Sequence, residues 1–373
     1  MSDRAIIPVT LLTGFLGAGK TTLLGKLLRD PRFSDTAVLV NEFGEIALDH
    51  LLVEAVPDNI TIEVTSGCLC CTVRGDIRQA LMMMLHRSEQ GELPLFSRLV
   101  IETTGIADPA PVIQTLMGDI LLAQRYQLAS IVTVVDAVNG LSTIEVHNEA
   151  RKQIAVADRL VITKTDTDQG QAALAKLTAA LQALAPGASI SDAHSPEFAL
   201  GRLIDDERVF DPAAKPAVVL GWLAAEGHAQ LEVGRAHDHG RHSHAHIHDK
   251  HSHDENPHDI NRHGDDIRAF CLTLDRPLDL RAFGFAMELL ASNQGPDILR
   301  VKGLVAIAEY PDQPVIVHMV QHMLHVPARL DAWPSDDRRT RLVFITRCID
   351  PEPLAQFFDS WTRFEPSHLE TME

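Results

Sequence analysis

The chain has 373 residues and a formal net charge of −18 at pH 7, with 45% hydrophobic and 23% charged residues. That length predicts two domains, or one large domain with an appendage, and a core that needs no disulfides. The acidic balance argues against nucleic acid and anionic membranes as partners, and no signal peptide or long apolar run is present, so we expect a cytoplasmic protein with reduced thiols.

Strands and helices alternate through the first part of the chain. Apolar runs rich in β-branched residues recur at residues 7–14, 36–44, 98–105, 128–137 and 158–166, and helical patterns separate them. Continuous apolar strands that alternate with helices indicate a parallel, doubly wound sheet buried on both faces.

A glycine-rich loop follows the first predicted strand. The stretch GFLGAGKTT matches the pattern G-x-x-x-x-G-K-[ST] and opens a helical pattern, which is the context such a loop requires. Its backbone N–H groups can face phosphate oxygens, Lys20 can bridge the β- and γ-phosphates, and the Thr21 hydroxyl can bind Mg²⁺. The residues predicted to hold a nucleotide here are Gly14, Phe15, Leu16, Gly17, Ala18, Gly19, Lys20, Thr21 and Thr22. The predicted fold is therefore an α/β P-loop NTPase domain over residues 1–215.

Two further stretches offer groups for phosphate chemistry. RLVIETTG ends a buried strand with Glu102, and Gly105 follows. An acid at this position can hold the Mg²⁺ shell or the attacking water, and Gly105 can present its N–H to the γ-phosphate. NEFGE, residues 41–45, is either a nucleotide-sensing loop or a turn. Asp136, which ends another strand, has a structural or a functional role.

The stretch TKTD ends a late apolar strand and suggests which base is bound. The Asp166 carboxylate can accept hydrogen bonds from guanine N1–H and the exocyclic amine, a donor pair that adenine lacks. Lys164 can lay its stem along the base, and Thr163 precedes it. Asp166 and Lys164 predict GTP rather than ATP as the nucleotide. A solvated strand end is the alternative.

Three of the five cysteines are crowded into TSGCLCCTV as Cys68, Cys70 and Cys71. A disulfide, a redox pair of Cys68 with Cys71, a buried apolar cluster and a metal site are the alternatives. Three thiolates suit Zn²⁺, Cu(I) or iron–sulfur chemistry, and three ligands leave a coordination position open, as a transferable ion requires. We expect the remaining cysteines, Cys271 and Cys348, to lie in the core.

The composition changes sharply near residue 228. Residues 237–263 contain ten of the nineteen histidines and no apolar periodicity, which predicts a linker over residues 216–264. Its alternating His242, His244, His246 and His248 are predicted to form weak, exchangeable metal sites, or else the linker is a passive spacer. Residues 265–373 resume order, and strands clustered around two helices predict a small α+β domain. Three histidines of HMVQHMLH in this part offer a second metal site, although the pattern favours strands and turns.

The motifs LLTGFLGAGKTTLL, NEFGE, SGCLCC, ETTGIADP and ADRLVITKTD, then a His-rich linker, occur in one order. With these motifs in this order, the chain resembles the CobW-type metallochaperone GTPases, which are relatives of the UreG and HypB nickel-insertion GTPases. The tail is similar to that family's C-terminal domain. The resemblance spans nearly the whole chain, more weakly at 167–265. One departure is Thr163, where many members have Asn.

The resemblance implies a GTPase that holds zinc, or cobalt or another divalent metal, and delivers it to a metal-requiring client protein. Carried over by position, it implies phosphate and Mg²⁺ binding by Gly14 to Thr22, a Walker-B-like element from Glu102 to Gly105, guanine reading by Lys164 and Asp166, and metal binding by Cys68, Cys70 and Cys71. The resemblance leaves open whether the chain forms a homodimer.

Two rival functions belong to other classes. A zinc buffer or sensor would use the His-rich linker and keep only a vestigial GTPase. The intact phosphate-loop motif at residues 14–22, together with Glu102 and Asp166, disfavours this alternative. An ATP-dependent kinase or synthase would need a second substrate site, which the sequence does not show.

Overall fold

The computed structural model describes residues 6–43, 53–56, 59–66, 72–204 and 267–363, and at 41–43, 53–56, 59–66 and 72–76 it describes the backbone alone. The cysteine cluster and the predicted linker lie outside this part of the chain. Among the described residues, the first unit contains eight strands: β1 Ile7–Gly14, β2 Thr36–Phe43, β3 Val53–Val56, β4 Asn59–Ser66, β5 Arg98–Thr103, β6 Tyr126–Asp136, β7 Arg159–Thr163 and β8 Ser189–Asp192. Its helices are α1 Lys20–Leu28, α2 Thr72–Glu89, α3 Ala110–Gly118, α4 Ile120–Ala123, α5 Gly140–Val146, α6 Asn148–Ala155 and α7 Asp168–Leu184.

The strand order of this sheet is β3-β4-β2-β5-β1-β6-β7-β8. Every neighbouring pair is parallel except β3 with β4. The sequence-based prediction of a doubly wound, mostly parallel sheet is confirmed. Strands β3, β4 and β8 were missing from that prediction, because none of them carries a long apolar run.

Apolar side chains bury both faces of the sheet. On one face, Leu23, Leu24 and Leu27 of α1 join a cluster with strand residues such as Val132. On the other face, a larger cluster includes buried side chains of α2, α3, α6 and α7. Burial on two sides explains why the central strands are continuously apolar rather than alternating.

The second unit is an antiparallel sheet with two helices. Its elements are β9 Ile267–Leu274, α8 Leu280–Gln294, β10 Ile298–Val305, β11 Val315–Val320, β12 Met323–Leu324, β13 Ala328–Arg329, β14 Thr340–Arg347 and α9 Pro351–Trp361. The strand order is β12-β11-β10-β14-β9, and β13 pairs with β11. Phe283 of α8 and Phe358 of α9 pack on Phe270 and Phe344 of the sheet. The predicted α+β unit is therefore confirmed as a fold.

The two units share one apolar cluster. Ile267, Leu299, Val320 and Ile345 of the second sheet join the larger cluster of the first unit. Helix α6 also packs against β10, and α3 against β12. The second unit is thus packed directly against helices that flank the parallel sheet.

One expectation about the core was wrong. Cys271 lies on β9 and is partly buried, but Cys348 is exposed. It follows the last residue of β14 and has φ 55, so the chain has already left the strand. None of the described helices is long and apolar enough to cross a membrane.

Candidate nucleotide site

The predicted nucleotide residues gather at the carboxyl ends of β1, β5, β6 and β7. Strand β1 connects to β2 on one side of it in the strand order, whereas its neighbour β6 connects to β7 on the other side, so the direction of the connections reverses between these two strands. A crevice at such a reversal of strand order is where open α/β sheets bind ligands.

The phosphate loop, residues 14–19, needs glycine at particular places. Gly14, Gly17 and Gly19 all have positive φ values, of 139, 73 and 96. A Cβ on Gly14 would lie 2.3 Å from the carbonyl oxygen of Val134 on β6. Other residues are strained or excluded here, so the glycines fix the curl that turns backbone N–H groups outward ahead of α1.

Lys20 begins α1 and points back over the phosphate loop. Its Nζ donates hydrogen bonds to the carbonyl oxygens of Gly14 at 2.8 Å and Phe15 at 3.4 Å, and the residue is buried. The ammonium group therefore sits at the concave side of the loop, where β- and γ-phosphates are held in P-loop proteins.

Thr21 and Glu102 meet across the mouth of the loop. The Thr21 hydroxyl donates a 2.7 Å hydrogen bond to Glu102 Oε1. Glu102 is 4% exposed although it is a carboxylate, whereas Thr21 and Thr22 are exposed in the first turn of α1. A hydroxyl and a carboxylate are oxygen ligands of the kind Mg²⁺ prefers, so this pair fits a magnesium ion.

Gly105 belongs to the loop that joins β5 to α3, residues 104–109, which we call the Gly105 loop. A Cβ on Gly105 would lie 2.6 Å from the backbone nitrogen of Leu16. The two loops are thus in backbone contact. This places Gly105 beside the phosphate loop, as its predicted role requires.

Thr163 has a contact that the sequence did not indicate. Its hydroxyl donates a 2.7 Å hydrogen bond to the carbonyl oxygen of Ala18, and the residue is 7% exposed. The side chain therefore ties the end of β7 to the phosphate loop.

Lys164 and Asp136 form an ion pair beside Thr163. Lys164 has φ 58, and its Nζ lies 2.6 Å from Asp136 Oδ2. Burial alone would raise the pKa of Asp136, but hydrogen bonds from Lys164, Asn139 and the Val138 N–H outweigh it and lower that pKa. Asp136 is thus a carboxylate that holds the Lys164 stem across the carboxyl ends of β6 and β7.

Asp166 stands at the outer part of the site, with its side chain 61% exposed and Oδ1 3.5 Å from His194 Nε2. The Thr165 hydroxyl donates a 2.5 Å hydrogen bond to Asp192, which also accepts from the His194 backbone N–H. His194 and Asp192 were not predicted as site residues, because the four residues of β8 give no strand signal. Thr165 of the TKTD motif is thereby hydrogen-bonded to the last residue of β8.

The metal ligands predicted from the sequence all lie outside the described residues; they are Cys68, Cys70, Cys71, His242, His244, His246 and His248. Within the described ranges, no three His, Cys, Asp or Glu side chains are grouped so that they could hold a metal ion. The three histidines of HMVQHMLH therefore do not form the second metal site considered above.

Comparison with known proteins assigns the two units separately. Residues 8–192 match the family model described as CobW/HypB/UreG, nucleotide-binding domain, and residues 267–362 match the cobalamin synthesis protein cobW C-terminal domain. The chain is 33% identical to "Zinc chaperone YjiA" of Escherichia coli over 91% of this chain and 93% of that protein. It is 38% identical to "Zinc-regulated GTPase metalloprotein activator 1" of Schizosaccharomyces pombe, over 44% of this chain and 41% of the relative.

A solved structure has the same architecture. The crystal structure of Zn(II)-bound YjiA GTPase from E. coli superimposes with a TM-score of 0.68 at 27% sequence identity, covering 96% of this chain and 99% of that one. The likeness therefore includes both the parallel sheet and the antiparallel sheet.

Proposed function

Because the chain belongs to the CobW/HypB/UreG family, we propose that it is a GTPase that holds a metal ion, zinc in the first instance, and transfers it to a client protein. The observation that carries the nucleotide half is the Thr21–Glu102 hydrogen bond at the mouth of the phosphate loop. It puts a hydroxyl and a carboxylate where a P-loop protein binds the Mg²⁺ of its nucleotide.

In this proposal the residues of 14–22 bind the phosphates through backbone N–H groups and Lys20. Mg²⁺ bound by Thr21 and Glu102 would neutralise charge that develops on the phosphate oxygens. Gly105 would offer its N–H to the γ-phosphate from a loop that already touches the phosphate loop. Hydrolysis on such a site depends on position and charge more than on covalent chemistry.

Guanine would be bound at the outer edge of the same site. Asp166 would accept from N1–H and the exocyclic amine, and Lys164 would lie along the base. The exposure of the Asp166 side chain leaves it accessible to a ligand, and the Lys164–Asp136 ion pair supports the position of the stem. Thr163 contributes by holding Ala18 rather than by reading the base.

The metal-binding part of the proposal rests on Cys68, Cys70 and Cys71 and on the names of the relatives, which include zinc chaperones and a Zn(II)-bound GTPase. The cysteines follow β4, which pairs in parallel with β2, and β2 pairs with β5, the strand that carries Glu102. Strand β4, the last described element before the cysteines, therefore ends at Ser66 on the same sheet edge as the phosphate site. Three thiolates there would hold the cargo ion and leave one position for transfer.

The remaining parts of the proposal follow the sequence-based boundaries. Residues 1–215 form the GTPase domain, 216–264 a linker whose histidines bind further metal weakly, and 265–373 the C-terminal domain. A cytoplasmic location with reduced thiols suits thiolate ligands. Cobalt or another divalent ion competes for the same ligands, and the client is a protein that requires the metal.

A metal titration in each nucleotide state tests the proposal. Zinc affinity is measured by competition with a chromogenic chelator in the presence of GTP analogue or GDP, for the parent and for a variant with all three cysteines changed to Ser. We expect a tight site whose affinity differs between the two nucleotide states and which the variant lacks. Equal affinity in both states would favour a zinc buffer instead, and turnover of ATP equal to that of GTP would contradict the assigned base.

A further inference from the structure

Helix α6 holds the Gly105 loop through two consecutive side chains. The Gln153 amide nitrogen donates to the carbonyl oxygens of Gly105 at 3.3 Å and Ala107 at 3.0 Å. Because both partners are carbonyl oxygens, the amide must turn its nitrogen toward them. The adjacent Lys152 lies 3.2 Å from Asp108. Two consecutive residues of one helix therefore fix this loop.

Gln153 is itself held in place. It is 0% exposed, and its backbone carbonyl accepts a 2.6 Å hydrogen bond from the Thr133 hydroxyl on β6. Its neighbour Arg151 donates to the carbonyl oxygens of Ile144 and Glu145 at the end of α5, at 2.5 and 2.6 Å. Because α6 is fastened in this way, any displacement of the helix moves Gln153 and with it the Gly105 loop.

The other end of α6 meets the second unit. Arg300 on β10 donates to the Val156 carbonyl oxygen at 2.5 Å and forms an ion pair with Asp158. Lys302 of the same strand lies 3.6 Å from Asp158. Burial alone would raise the pKa of Asp158, but Arg300 and Lys302 lower it, so this buried group is a carboxylate at neutral pH. Separation of such charges leaves one of them buried without compensation, which opposes independent movement of β10 and α6.

The far flank of the Gly105 loop leads to the same unit. Helix α3 begins where the loop ends, and its Gln114 amide lies 3.2 Å from Gln321 Oε1 and 3.3 Å from His322 Nδ1. Both of these residues follow β11. The Gly105 loop is thus connected to the antiparallel unit through α6 on one side and through α3 on the other.

We propose that Gln153 is a positioning residue for the Gly105 amide, and that the C-terminal unit sets the placement of that amide through Arg300. The inference builds on the proposed GTPase activity and adds a route by which a partner bound to the C-terminal unit changes hydrolysis without touching nucleotide. The Gly105 backbone packs on Leu16 with no room for a Cβ, so a shift of α6 alters the position of the Gly105 N–H relative to the phosphate loop.

The test compares Gln153→Leu and Arg300→Met with Arg347→Met. Arg347 is the matched control because it binds Asp297 within the C-terminal unit at 2.7 Å. Hydrogen exchange of the amides in 104–109 is measured by mass spectrometry, and GTP turnover by phosphate release. In the first two variants we expect exchange at least about tenfold faster, and kcat lower by about 10- to 100-fold with KM within about twofold. The control keeps the parent's values.

The outcomes separate this inference from the function beneath it. Parent-like exchange in both test variants overturns the inference, and so does a rise in KM that matches the fall in kcat. A parent chain that turns over no GTP counts against the proposed GTPase alone, because exchange is read without nucleotide. Arg300→Lys guards against misfolding of Arg300→Met: it keeps a charge for Asp158 but has one nitrogen in place of the two that donate separately to Val156 and Asp158. We expect intermediate exchange and turnover from it, and parent values would contradict the role of Arg300.

Discussion

The Thr163 hydroxyl donates a buried 2.7 Å hydrogen bond to the carbonyl oxygen of Ala18, across 145 positions of the chain. We expect Thr163→Val to destabilise the protein by about 1–3 kcal/mol, because the valine leaves a buried acceptor without its donor. Urea denaturation measures the loss. Thr178→Val is the matched control, since Thr178 donates to Leu174 within its own helix and is only partly buried. An equal, small effect of both substitutions would show that the bond to the phosphate loop adds nothing.

Glu102→Gln should lower kcat for GTP by at least about 100-fold, because an amide replaces the carboxylate proposed to hold Mg²⁺ beside Thr21. The Mg²⁺ concentration for half-maximal turnover should rise as well. Phosphate release over a magnesium series measures both quantities. Glu352→Gln, an exposed change on α9, serves as the control. An unaltered magnesium requirement in Glu102→Gln would exclude this residue from the ion's surroundings.

Asp166→Asn should weaken GTP binding by about 2–4 kcal/mol, since the guanine donors lose their acceptor and meet an amide instead. Xanthosine triphosphate, whose carbonyl can accept from the new amide, should bind better to the variant than to the parent. Fluorescent nucleotide titration compares the two ligands. Asp168→Asn removes another exposed carboxylate two positions along and should keep the parent's preference. Unchanged GTP affinity in Asp166→Asn would mean that another group reads the base.

Deletion of residues 237–263 should leave GTP turnover and the tight metal site intact and remove only weaker sites. The reason is that neutral imidazoles on a polar segment offer many loose, exchangeable ligands, whereas three thiolates form one tight site. Zinc titration followed by chelator competition counts both classes. Disappearance of the tight site with the segment would contradict the assignment of Cys68, Cys70 and Cys71.

Two stacked histidines, His318 and His325, predict how the free energy of unfolding depends on pH. Burial and the nearby Arg300 lower the pKa of His318 well below its usual range, and burial lowers the pKa of His325 to about 4. Both are neutral when folded but protonate in the unfolded chain below about pH 6.5, so the unfolded state binds more protons and stability falls from there toward pH 4.

His325→Phe should therefore reduce this loss, by at least about 1 kcal/mol between pH 7 and pH 5. Urea denaturation at the two pH values measures the difference. His86→Phe, at an exposed position on α2, should keep the parent's pH dependence. The explanation fails if parent and His325→Phe lose the same stability.

Features that depend on neighbouring residues were predictable from the sequence. The phosphate loop, the central strands and both C-terminal helices follow from local motifs and periodicity. Gln153 could not be identified, because its partners lie 48 and 46 positions away and a polar residue in a short helix gives no sign of them. Cys348 was misplaced because the apolar pattern of β14 continues past the residue where the strand ends.

The base side of the site depends on β8, which has four residues and lies at the end of the strand order, whereas the phosphate side depends on β1 and β5, which are paired on both edges. Short edge elements open at a lower free-energy cost than central strands. The base and the triphosphate of the nucleotide are therefore held by elements that open at different free-energy costs. In mild denaturant, discrimination between guanine and other bases should disappear while the triphosphate is still bound.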